Sequence, residues 1–166
     1  MAKVTFMALG AYALQLSRYA SQVRGGKMLE HAIHDGAEIV ADKIRENLQA
    51  LPEESFRALR EGERFNGLPP SQKDDLLRGF GLTPISADKS GFLHTKAGFD
   101  GYGQHPTKKY PQGVPNQLLA RAVESGSSVR NKTPFVRTAV AATSKAAVQA
   151  MQRTIDEETA EIFGGK

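Results

Sequence analysis

The sequence predicts an α+β fold in which a small antiparallel sheet packs against two or three helices, one of them a long C-terminal helix. Three observations predict it. Apolar residues recur at three- and four-residue steps in the first third of the chain and again in the last, as on one face of a helix. Residues 80–99 form two extended stretches around a turn-forming "ADKSG". At 166 residues, 40% hydrophobic and 24% charged, the chain fits a single domain over residues 1–166 with a modest, tryptophan-free core.

Val4, Thr5 and Phe6 suit a short strand. Leu9, Tyr12, Leu16, Tyr19 and Val23 then share a helical face, which Arg24-Gly25-Gly26 ends, because glycine accepts a left-handed cap. The apolar run from Val4 to Leu16 is broken by Gly10 and Gln15 and lacks a small-residue cleavage site. It is not read as a signal peptide. The next helix is better defined. Leu29, Ile33, Gly36, Val40, Ile44 and Leu48 make one stripe, and Leu51-Pro52 stops it. Gly36 on that stripe costs about 1 kcal/mol in helix propensity. Close approach of a neighbouring helix is the expected compensation.

Residues at about 53–70 are charged and rich in glycine and proline, and read as an exposed insertion. Ser71 to Asp74 has the spacing of a capping box opening a short helix through Leu77, closed by Gly79. In the hairpin that follows, Leu93, Thr95, Ala97 and Phe99 share one face, while Phe92, His94 and Lys96 share the other. Pro84 cannot donate to a ladder, which places the first strand at an edge. A long loop, "GFDGYGQHPTKKYPQGVP", leads to a helix opened by Pro115-Asn116 and ended by Gly126.

A basic loop precedes the last helix, with Thr133 as the expected N-cap and Pro134 at the first helical position. Running to about Phe163, this helix would be about 45 Å long. Val136, Val140, Ala147, Met151, Ile155 and Ile162 make a large-residue stripe. Phe135, Ala139, Ala142, Ala146 and Ala150 make a second, small-residue stripe. One stripe covers a core, so the second implies another helix, from this chain or from a second copy. Arg137 and Lys145 lie in the N-terminal half, and Asp156, Glu157, Glu158 and Glu161 near the C-terminus. That order opposes the helix dipole and suits head-to-tail association of identical subunits.

Chemistry-bearing patterns are sparse. The chain has no cysteine, which excludes disulfides, thiolate catalysis and Cys-ligated zinc. No apolar run reaches the length of about eighteen residues that a membrane span needs. His31, His34 and Glu38 form at most an incomplete metal site, since zinc chemistry asks for three protein ligands and a supporting shell. "RGGK" at 24–27 lacks the upstream glycine and following Ser or Thr of a phosphate loop. Gly98, Gly101 and Gly103 reverse the dinucleotide spacing. No strand–turn–helix elbow frames a serine, and no enzyme activity, metal or cofactor is expected. The net charge of +4 permits a polyanionic partner. Arg121, Arg130, Lys132 and Arg137, with Lys108 and Lys109, could touch phosphates. A basic nucleic-acid-binding module is therefore the alternative reading, although no base-reading helix or stacking platform accompanies these residues.

The segment "ARAVESGSSVRNKTPFVRTAV" resembles the C-terminal signature of the tail-completion, or minor tail, proteins of long-tailed bacteriophages and prophages. That signature has an apolar run, then Glu, a small residue, Gly and Ser or Thr, a basic loop, and Pro-Phe entering a long helix. Here Val123, Glu124, Ser125, Gly126 and Ser127, then Pro134, Phe135, Val136 and Arg137, occupy those positions. "GFGLTPI", "TKAGFDGYG" and "LEHAIHDGAEIVADKIRENL" are similar to the hairpin and first long helix of the same proteins. Thr138 departs from the pattern, where many members carry proline. The resemblance implies a non-catalytic virion protein of the neck or upper tail that joins head and tail as a hexameric ring, assembled in the host bacterial cytoplasm. Its implied partners are copies of itself and tail terminator, tail tube or head-connector proteins, with no membrane and with DNA contact secondary. The residues expected to matter are Phe99, Tyr102, Glu124, Gly126, Arg130, Pro134, Phe135 and Arg137. Phe135 would plug the junction between the last helix and the sheet, and Glu124 would receive a backbone or Arg hydrogen bond that fixes the Ser-Gly turn. Loop residues such as Phe99 and Tyr102, and the insertion, would face neighbouring copies.

Overall fold

A computed structural model describes residues 26–163, and the fold is α+β. The strand expected at Val4–Phe6 and the helix expected from Leu9 to Val23 lie outside the described residues. Helix α1, Lys27–Gln49, and helix α4, Val136–Phe163, form the spine. They lie antiparallel, because Asn47 Nδ2 donates to the Phe135 carbonyl (3.0 Å) at one end and His31 Nδ1 meets Glu158 Oε1 (2.7 Å) at the other. Midway, Thr154 Oγ1 donates to Asp35 Oδ2 (2.6 Å).

The core sits on the inner faces of these two helices. Val40, Ile44 and Leu48 of α1 pack with Val136, Ala139 and Ala147 of α4. A second cluster, Met28, Leu29, Ala32, Met151 and Ile155, continues the contact toward the N-terminus of α1. The helices touch closely at Gly36. A Cβ there would lie 2.4 Å from Met151 Cγ and 3.1 Å from the Ala147 carbonyl oxygen. The expected helix neighbour at Gly36 is therefore α4.

The two stripes expected on α4 do not separate in space. One buried face draws on both, with Val136, Ala139, Ala147, Ala150, Met151 and Ile155, whereas Ala142 and Ala146 are exposed. A single partner helix covers a broad face, which takes residues from adjacent columns of the helical net. Ile162 lies outside the residues whose side chains are described.

Helix α2, Pro70–Gly79, starts two residues earlier than a Ser71 cap would allow. Pro70 takes the first helical position, where its missing N–H costs nothing. Ser71 instead meets His105 Nε2 through its hydroxyl (2.9 Å). The hairpin comprises β1 (Phe80–Leu82), β2 (Ser86–Ala87), β3 (Leu93–His94) and β4 (Ala97–Phe99). β1 pairs with β4, with Phe80 opposite Phe99, and β2 pairs with β3. Pro84, lacking an N–H, interrupts the ladder between the two pairs. Around the gap Thr83 N donates to the Lys96 carbonyl (2.9 Å), and Lys96 N to Thr83 Oγ1 (3.0 Å). Leu82, Ala97 and Phe99 turn toward the main core, and Leu93 toward the second cluster. Helix α3, Asn116–Ser125, ends at Gly126, as the sequence predicts.

The segment 53–70 needs correction. It is largely exposed from Glu53 to Arg64 and turns inward only at its end. Phe65 and Leu68 are buried, and the backbone forms parallel bridges between Glu53 and Leu68 and between Phe65 and Arg130. Glu54 Oε2 accepts the Asn66 and Gly67 amides (2.7 and 3.1 Å). Those two backbone donors hold the Glu54 carboxyl below its usual range. Charged composition misled here, because two apolar side chains suffice to pin a short segment.

Replacing Gly36 with Ala sets a gain in helix propensity of about 1 kcal/mol against overpacking on Met151 and the Ala147 backbone. The backbone oxygen cannot rotate away, so overpacking wins. A net loss of about 1–2 kcal/mol is expected, read from the urea midpoint.

Candidate functional site

The residues that carry the sequence signature meet at the joint between α3 and α4. Helix α4 begins inside the fold, so its first amides have no intrahelical acceptor and limited access to water. Glu124, on the last turn of α3, supplies the acceptor. Its Oε2 accepts the amides of Phe135 (2.8 Å) and Val136 (2.9 Å), and its Oε1 accepts that of Arg137 (3.1 Å). The Arg137 side chain closes the ring. Its Nε donates to Glu124 Oε1 (2.8 Å) and its Nη2 to the Glu124 carbonyl (3.1 Å). A carboxylate also complements the positive end of the helix dipole.

Glu124 thus receives the backbone and Arg hydrogen bonds expected of it, but they hold the start of α4 and not the Ser-Gly turn. It caps α4 from eleven residues upstream, with its side chain 14% exposed. This displaces the expected cap of Thr133 and Pro134. The helix starts at Val136, two residues after Pro134, and the Phe135 carbonyl accepts its first bond from Ala139 N (3.3 Å). Thr133 N donates back to the Val123 carbonyl (2.8 Å), and the Pro134 carbonyl accepts the Thr138 hydroxyl (2.5 Å).

Gly126 makes the reversal possible. Its φ is +79°, a left-handed value that L side chains avoid. A Cβ there would also sit 3.2 Å from the Lys132 nitrogen. Phe135, 2% exposed, lies between α4 and the hairpin, with its ring 5.9 Å from Phe99, edge to face. Phe99 in turn tilts against Phe80 at 5.1 Å. Phe99 is thus a core residue here, not a loop residue facing a partner. Tyr102 is 58% exposed, with its backbone bridged to Pro115.

Arg130 is likewise not a surface cation. It is 7% exposed. One guanidinium nitrogen donates to the Gly67 carbonyl, the other lies 3.5 Å from Gln72 Oε1, and the group sits 5.8 Å above the Phe65 ring. Burial lowers its pKa, opposed by the Glu54 charge; an arginine remains charged through such a shift. With Arg130 buried and Arg137 paired to Glu124, the expected basic set keeps Arg121, Lys132, Lys108 and Lys109 as exposed members. Lys108 and Lys109 occupy a turn closed by reciprocal bonds between the Thr107 and Tyr110 backbones (2.9 and 3.0 Å).

A second polar node went unread in the sequence. Asp75 of α2 is 4% exposed. It accepts the amide and side chain of Gln104 (both 2.9 Å) and Arg78 Nη2 (3.0 Å). Asn116 Nδ2 donates to the Asp75 and Asp100 carbonyls (3.1 and 2.8 Å), and its buried Oδ1 is unpaired. No residue spacing signals this node, because its partners come from distant loops. Among the described residues no cluster of three or more His, Asp or Glu side chains could hold a metal ion. His31 and His34 face separate acids, Glu158 in the first case and Asp35 and Glu38 in the second. No family model, curated protein or solved structure matches the chain.

Glu124→Ala leaves three amides without an acceptor and is expected to lose about 2–3 kcal/mol of unfolding free energy in urea. Glu124→Gln keeps an acceptor and should lose roughly half as much. Arg137→Ala, at an exposed ion pair, should lose less than about 1 kcal/mol. An Arg137→Ala loss equal to that of Glu124→Ala would make the ion pair, not the amide cap, the source of the stability.

Proposed function

We propose that this chain is a structural virion protein of the neck or upper tail of a long-tailed bacteriophage, without catalytic activity. It completes the tail end and joins it to the head connector as a hexameric ring, with copies of itself and tail terminator, tube or connector proteins as partners. The observation that carries the reading is the use made of the signature residues. Glu124, Gly126, Phe135 and Arg137, which bear the resemblance to tail-completion proteins, all serve one mechanical joint between α3 and α4. A joint of this kind transmits position between elements, as a protein loaded between head and tail requires. Contact with the passing genome is secondary, since two of the expected phosphate-binding cations are engaged within the chain.

Imaging of particles assembled without this protein tests the reading. DNA-filled heads and finished tails, lying separate in negative stain, are the expected outcome. Intact virions at normal yield would contradict it.

A further inference from the structure

The outer face of the β1–β4 pair carries an unusual residue choice. Gly81 and Gly98 lie directly opposite each other in the register. Neither has a positive φ, so the backbone conformation does not call for glycine. Nor does packing among the described residues, since a Cβ built at either position meets none of their atoms within 4 Å. The other described glycines are accounted for by a positive φ or by a close neighbour. A Cβ at Gly36 or Gly79 would come within 2.4 Å of a neighbour. Glycine weakens a strand interior, and its presence there often marks a bulge, a bend, or a site where a ligand or another backbone comes close. The β1–β4 ladder has no bulge in its register.

The charges around this window identify what approaches. Lys96 and Asp100 lie just beyond the two ends of β4, two residues to either side of Gly98, and continuing the strand's alternation by one residue each way sets them on the face of Gly98. Among the described residues neither forms an ion pair within 4.0 Å; the Asp100 carboxylate accepts its neighbour's amide, Gly101 N (2.8 Å). The order is cation, glycine, anion. A two-fold rotation that reverses the strand places each cation over the other copy's anion, with glycine over glycine at the centre. A parallel arrangement would set like charges together. Such self-complementarity is the mark of an isologous contact.

We propose that two copies of this chain associate through the outer faces of their hairpins. The two-fold axis passes over Gly81 and Gly98, and Lys96 of each copy pairs with Asp100 of the partner subunit. The patch is small beside the roughly 800 Å² per partner of a standard interface, so the dimer is weak and dissociates on dilution. The contact is independent of the ring reading, because a two-fold axis cannot by itself generate a sixfold ring.

Sedimentation velocity of the full chain over a concentration series at low salt tests it. The weight-average mass should rise from monomer toward dimer. Gly98→Val should remain monomeric, with a thermal midpoint equal to or above that of the parent, because its side chain enters open space. Lys96→Asp and Asp100→Lys should each weaken association roughly tenfold or more, and the double swap should restore it to within a few-fold. A chain that stays monomeric throughout, a dimer indifferent to Gly98→Val, or a double swap that fails to recover overturns the proposal. A hexamer that persists in Gly98→Val would also overturn it, while leaving the ring reading intact.

Discussion

Helix α4 has to begin in the interior of the fold, and its unpaired amides must find an acceptor there. Glu124 meets that demand with one carboxylate placed against three consecutive backbone donors. The other contacts at the joint follow from it. With the amide of Phe135 held, its ring is committed to the hairpin, where Phe99 and Phe80 receive it. Its carbonyl is then aligned for Asn47 on α1. One acidic side chain thereby brings α1, α3, α4 and the hairpin to a common point.

A second layer of polar contacts holds the loops to this frame. Asp75 anchors the long loop after the hairpin, and Asn116 ties the start of α3 to the same place. Arg130 fastens the α3–α4 loop to the segment around Phe65 and Gly67. Buried charges of this kind add little net stability, since desolvation offsets much of the attraction. Their effect is to select one arrangement of loops.

The elements whose signals are local were legible in the sequence. The stripe from Leu29 to Leu48 gave α1, the Pro115–Gly126 bracket gave α3, and the "ADKSG" turn gave the hairpin. The errors share a cause. Thr133-Pro134 has a good local capping pattern, but a carboxylate from another helix won the competition for the same amides. Arg130 looked like a surface cation because composition does not register a carbonyl and an aromatic ring arriving from residues 65–67. Phe99 looked like a loop anchor for a partner until its register opposite Phe80 placed it in the core. The Glu–Gly–Pro–Phe signature marked the correct residues for the joint, but only the geometry assigned Glu124 to the helix end instead of the Ser-Gly turn.

Native-state hydrogen exchange at the amides of Phe135, Val136 and Arg137 tests the central claim most directly. If Glu124 holds the start of α4 as an integral part of the core, these three amides exchange only when the molecule opens globally. Their protection should then match that of buried α4 positions such as Ala139 and Ala147. Exchange at the rate of the exposed loop residues Ser128 and Val129, with the rest of α4 still protected, would contradict it.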